Sequence, residues 1–162
     1  MSKVQEFKNG VESCLEALDS SIAPVLAQLV SHRYPPEVAG IEFEIFVDEF
    51  TQGFPVRAFF LDLNNTEFFL YSAGRAEYPS PVDPELLNIP CVYPQEFEDT
   101  FTDDDEDFDP WSHATKALIG WFSKKWHDAG GADFGLRATI AAHDSAQEFN
   151  LKTLTWQSRG NS

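Results

Sequence analysis

Residues 41–72 read IEFEIFVDEFTQGFPVRAFFLDLNNTEFFLYS, and the pattern inside this stretch decides the fold. Ile41, Phe43, Ile45 and Val47 alternate with Glu42, Glu44, Phe46 and Asp48, which puts one apolar row on one face of a half-buried strand. Thr51 to Pro55 supply a turn. Val56 to Leu63 is a nearly continuous apolar run, which predicts an inner strand, and Asn64 and Asn65 offer the positive φ of a tight hairpin turn. Thr66 to Ser72 is expected to follow as a third strand, completing an antiparallel meander.

Toward the amino terminus, Val11, Leu15, Leu18, Ile22, Val25 and Leu29 recur at helical spacing and form one apolar stripe. Pro24 removes a backbone donor inside it, so a break is expected near Ser20 and Ser21, and Pro35 and Pro36 end the helix by Tyr34. Toward the carboxyl terminus, residues 73–109 lose periodicity and read as a long irregular excursion. Asp109 then caps a helix that begins at Pro110. Trp111, Ala114, Leu118, Trp121, Phe122 and Trp126 are expected on its core face, and Gly130 and Gly131 stop it. Leu136–Ala142 and Phe149–Trp156 alternate like strands across a polar loop at 143–148, and the polar tail from 157 is expected to fray. The order α-β-β-β-loop-α-β-β predicts an α+β two-layer sandwich with an antiparallel sheet of about five strands and two main helices, one domain over residues 1–162.

Hydrophobic residues make up 43% of the chain and aromatic ones 14%, enough to collapse despite a formal charge of −16 from 27 acidic and 11 basic side chains. Nucleic acid and anionic membrane surfaces would repel such a molecule, so the compatible macromolecular partner is a basic protein. Cys14 and Cys91 suggest neither a disulfide framework nor a metal knuckle and fit a reducing compartment. The first ten residues lack the apolar segment of a secretory signal, and no apolar run approaches the roughly 18 residues of a membrane span, so a cytoplasmic protein is expected.

The densest charge lies in EFEDTFTDDDEDFD, residues 96–109, where nine acids surround Phe97, Phe101 and Phe108. Repulsion at this density predicts an exposed, mobile loop. In that loop Asp99, Asp103, Asp104, Asp105, Glu106 and Asp107 would steer a basic partner, with Phe101 and Phe108 as contact area. The same pattern also fits a solvated loop whose rings merely pin it to the core. Alternation of Asp103, Asp105, Asp107 and Asp109 imitates a calcium loop, but the sixth and twelfth positions hold Phe108 and Ala114 in place of Gly and Glu. His113 and His127 stand too far apart on one helix to share an ion, and the His143–Asp144 pair reads as a polar turn more readily than as a dyad. No nucleophile elbow, phosphate loop or HExxH motif occurs. Hence no catalytic residue, metal ligand or cofactor is assigned.

With its size, its charge, the EFEDTFTDDDEDFD tract and the helix PWSHATKALIGWFSKKW that follows (110–126), the chain resembles the small acidic α+β immunity proteins with which bacteria neutralise toxins. That resemblance covers layout and charge and contributes no binding residue of its own. It implies a non-enzymatic inhibitor that presents an acidic surface to a basic protein, and a variant is mimicry of DNA phosphate on a rigid surface. The competing expectations are a small-molecule site or enzyme pocket between the sheet and the long loop, near His113 or His143, and an oligomer-forming module.

Overall fold

Residues 2–86, 88–103 and 105–159 are described by the computed structural model, and among them four α-helices and seven β-strands form an α+β fold. The amino-terminal stripe folds as α1 (Lys3–Glu16) and α2 (Asp19–Ser31), burying Phe7, Val11, Leu15, Ile22, Leu26 and Leu29. The break falls at Ala17 and Leu18, earlier than Pro24 alone suggests. Starting α2 at Asp19 places Pro24 in its second turn, where the carbonyl that loses its partner belongs to exposed Ser20 and can reach water.

Strands β1 (Gly40–Ile45), β2 (Val56–Leu61), β5 (Arg137–Ala142), β6 (Gln147–Asn150) and β7 (Thr155–Ser158) make one sheet in the order β2-β1-β5-β6-β7. It is mixed. The expected antiparallel sheet fails at its centre, where β1 and β5 run parallel with Phe43 opposite Ile140. Two locally antiparallel groups meet there, and the second returns only after a crossover that contains the last helix, α4 (Pro110–Asp128). Ile41, Phe43 and Ile45 face this helix with Val56, Ala58 and Phe60 of β2, and Phe43 packs 4.8 Å from Phe122 and 5.5 Å from Trp126, ring centre to ring centre.

Further expectations change. The apolar run of β2 forms an edge strand, and its outer side is covered: Phe68 N–H donates to Phe60 O, and Ala58 N–H to Pro84 O. Those covers explain why its sequence reads as interior. The third meander strand meets β2 only at the Leu61–Glu67 bridge, and then pairs β3 (Leu70–Ser72) with β4 (Arg75–Glu77) as a separate exposed hairpin. Asn65 takes a φ of 60° at the preceding turn, as its type allows, and Asp62 accepts hydrogen bonds from the amides of Asn64 and Thr66. Finally, Phe149–Trp156 is a hairpin, β6 and β7, and the second strand runs to Ser158 where a frayed tail was expected. The segment 73–109 likewise contains β4 and a helix, α3 (Gln95–Thr102), so it is only partly irregular.

Candidate functional site

Around the acidic tract the local order is helical. Pro94 precedes α3, Glu96 and Glu98 sit in its first turn where the helix dipole favours them, and Phe97 and Phe101 fall four residues apart on the inner face. Both rings pack on Phe7, which is fully buried: Phe97 stacks at 5.2 Å, and Phe101 and Phe108 meet it edge-on at 5.1 and 5.3 Å. Gly10 of α1 permits this approach, since a Cβ there would run into the Phe97 ring. Tyr93 donates its hydroxyl to Glu98 at 2.9 Å, and burial, then the Glu98 charge, push its pKa far up, so the donor keeps its proton.

These contacts sort the residues read as a partner surface into two sets. Phe101 is buried and Phe108 half-buried against the core, stacked on each other at 5.9 Å. Asp103, Glu106 and Asp107 are exposed, and Asp99 and Asp105 are half-exposed. Asp99 accepts from Gln95 at 3.0 Å, Asp105 accepts from the Asp107 amide at 3.1 Å and lies 3.6 Å from Lys3, and Asp104 lies outside the described residues. Among its described residues the tract is therefore helical over Gln95–Thr102 with rings packed on the core, where a mobile loop was expected. Charges fan outward from the helix while the rings fasten it inward.

Beside this surface, at the start of α4, Asp109 accepts a hydrogen bond from the Ser112 amide at 3.1 Å. Trp111 lies in the same turn and is 41% exposed, so it is no part of the core face to which its spacing assigned it; Trp121 is half-buried, and Phe122 and Trp126 are fully buried. In the same turn Pro110 is buried and His113 packs beside Phe108, so Trp111 occupies the turn's outward side. Trp111 lines a groove of about 390 Å³ together with Trp156 of β7, which is 54% exposed, and with Val47, Thr115, Ile119 and Ala142. The Thr115 hydroxyl is buried and has no hydrogen-bond partner.

The far face of the sheet holds Arg159. Its guanidinium donates to the carboxylates of Glu42 and Glu44 and to the carbonyls of Ala142, His143 and Ser145 at 2.9–3.3 Å. Burial opposes the charge, but the hydrogen bonds to Glu42 and Glu44 outweigh it and hold the Arg159 pKa above its ordinary value. His143 bonds Glu44 at 2.9 Å and stacks on Phe46 at 4.7 Å, while Asp144, the neighbour in sequence, is 3.8 Å away and 98% exposed. Ser145 donates its hydroxyl to Gln147 O, so it offers His143 no nucleophile. The arrangement fastens the β5–β6 turn and the end of β7.

The other histidines are occupied as well. His127 meets Leu151 O at 2.8 Å, His113 lies beside Phe108, and His32 packs edge-on against Tyr34 at the end of α2. Cys14 and Cys91 are free thiols, and burial, with nearby Cys91, pushes the Cys14 pKa up. Among the described residues no group of three or more His, Cys, Asp or Glu could hold a metal ion, and no helix is long and apolar enough to cross a membrane. A cleft of about 690 Å³ between α1 and α4 gathers Lys8, Lys116, Lys124 and Lys125, laced with Glu12, Glu16 and Asp19. Neither a protein-family model nor any curated protein or solved structure matches this chain.

Proposed function

We propose that this chain is a non-catalytic interaction module that engages a basic protein through the negative surface of α3 and the turn before α4, in the manner of an immunity-type inhibitor. One observation carries the reading: the tract's rings are fastened to Phe7, so Asp99, Asp103, Asp105, Glu106 and Asp107 are displayed from a fixed frame. Fixed charges raise association rates and select partners of opposite sign without prior ordering. The same order meets the rigidity that phosphate mimicry would require. The two free cysteines accord with a cytoplasmic setting.

The test begins with capture of a partner at low salt and proceeds to stopped-flow association kinetics. Between about 20 and about 200 mM salt the association rate should fall on the order of tenfold or more. A variant with Asp99, Asp103, Asp104, Asp105 and Asp107 changed to Asn and Glu106 to Gln should bind slowly at both. Unchanged kinetics in that variant would remove the mechanism.

A further inference from the structure

We infer that the groove between Trp111 and Trp156 seats one large apolar side chain projecting from a basic segment of the partner, an inference that rests on the reading above and adds the contact residue to it. Its volume of about 390 Å³ lies near the lower end of the range for ligand sites, enough for a single anchor. Val47, Ile119 and Ala142 give it an apolar lining, and the two indoles that complete it are both exposed. Tryptophans in such positions dominate many protein interfaces because they bury large rigid surfaces at little entropic cost.

Charge selects the occupant. Asp109 lines the groove itself and Asp48 follows the lining residue Val47 in the chain; both are exposed. The acidic surface of the tract runs directly into Asp109, and the groove-lining cation among the described residues is Lys116. A segment entering here passes Asp109 and the tract beside it, which suits Lys or Arg next to the anchor. A second copy of the chain, at −16, would meet its own repulsion. Both walls are prearranged: the Asp109 cap holds the turn of Trp111, and Arg159 ties the end of β7, which carries Trp156, to the turn after β5.

Short synthetic peptides test the assignment by titration at low salt, followed by tryptophan fluorescence and calorimetry. One peptide carries Leu between Lys flanks, a second Gly between the same flanks, and a third Leu between Glu flanks. The Lys-flanked Leu peptide should bind about tenfold tighter than its Gly counterpart. Trp156→Ala and Trp111→Ala should erase that ratio, Trp156→Phe should restore most of it, and circular dichroism should show each variant folded. Neutralising the six tract carboxylates should weaken both Lys-flanked peptides alike and preserve the ratio. Equal binding of the Leu and Gly peptides overturns the groove assignment and leaves the electrostatic reading standing. Equal binding of the Lys- and Glu-flanked Leu peptides overturns the charge selection, and failure of every Lys-flanked peptide overturns both. Self-association abolished by Trp156→Ala would assign the groove to a second copy and overturn the inference.

Discussion

Phe97, Phe101 and Phe108 pack their rings 5.1–5.3 Å from Phe7, whereas Trp111 and Trp156 keep 41% and 54% of their surface in solvent. The phenylalanines and Trp111 lie within or next to the acidic tract in sequence, while Trp156 reaches its neighbourhood only through the fold, lining one groove with Trp111 and Asp109. Their roles are opposite. The phenylalanines spend their apolar surface on holding α3 against α1, which makes them structural; the tryptophans keep about half of theirs exposed, which leaves them free to touch something else. Proximity to charge therefore says little about whether a ring binds, and what the ring packs on decides it.

The sharpest way to break this contrast is Phe7→Ala. Phe7 is fully buried and meets four rings, those of Tyr93, Phe97, Phe101 and Phe108. Its removal should cost about 3–5 kcal/mol in urea unfolding, from lost transfer energy and a cavity that the stacked rings cannot fill. Hydrogen exchange should show α3 among the elements most loosened. A loss below about 1 kcal/mol would mean that the tract is not anchored through this cluster.

How much of this could be read beforehand follows from the range of each signal. The start of α4 was legible because Asp109 and Pro110 act on adjacent backbone groups, and the stop at Gly130, with φ at 98°, is equally local. Alternation in β1 and β5 was visible for the same reason. Their parallel pairing was not, since Gly40 opposite Arg137 is a contact between distant segments that no local period encodes. Helix α3 left a signal that was outweighed: Phe97 and Phe101 have helical spacing, but the density of carboxylates argued for a loop. Only Glu96, Glu98 and Asp99 lie on the helix itself, the other described acids follow it, and the rings of Phe97 and Phe101 give the helix an apolar face to pack on Phe7. The groove was illegible, because Trp111 and Trp156 come together only when β7 is placed at the sheet edge.

The second contrast concerns what keeps Trp156 in place. Arg159→Ala removes donors to Glu42, Glu44 and three carbonyls, and leaves two half-buried carboxylates side by side without their cation. Breaking such a network from one side should cost about 2–4 kcal/mol. Amide exchange should accelerate first in Thr155–Ser158. If β7 stays protected, Arg159 does not fix the groove's outer wall.

Trp121 stands between the two sets, half-buried, with its Nε1 donating to Asp19 at 2.7 Å. That hydrogen bond, with smaller help from Lys125 and Lys124, lowers the Asp19 pKa below the ordinary carboxylate value of 3.8. A depressed carboxylate stabilises the fold above its unfolded pKa, and the contribution is lost as pH falls through the lower, folded value. Asp19→Asn should therefore flatten the acid limb of the stability curve below about pH 4 and leave the neutral region nearly level. An unchanged acid limb would show that the indole does not hold the carboxylate in solution.

The smallest effect on stability should come from the residues given the largest role in binding. Trp111 keeps 41% of its surface exposed, and Trp156, 54% exposed, packs edge-on against Phe149 at 5.3 Å as a cross-strand pair. Pairs of that kind contribute roughly 0.2–1 kcal/mol, so Trp156→Ala should shift urea stability by no more than about 1 kcal/mol, and Trp111→Ala by less. Equilibrium unfolding of the two variants beside Phe7→Ala measures the contrast directly. A destabilisation by Trp156→Ala that approaches the Phe7 value would show the indole to be a structural ring like the phenylalanines, and the groove would then be a seam of the fold. Near-neutral values would leave two large apolar side chains in solvent that folding does not require, and such surface is what a binding partner consumes.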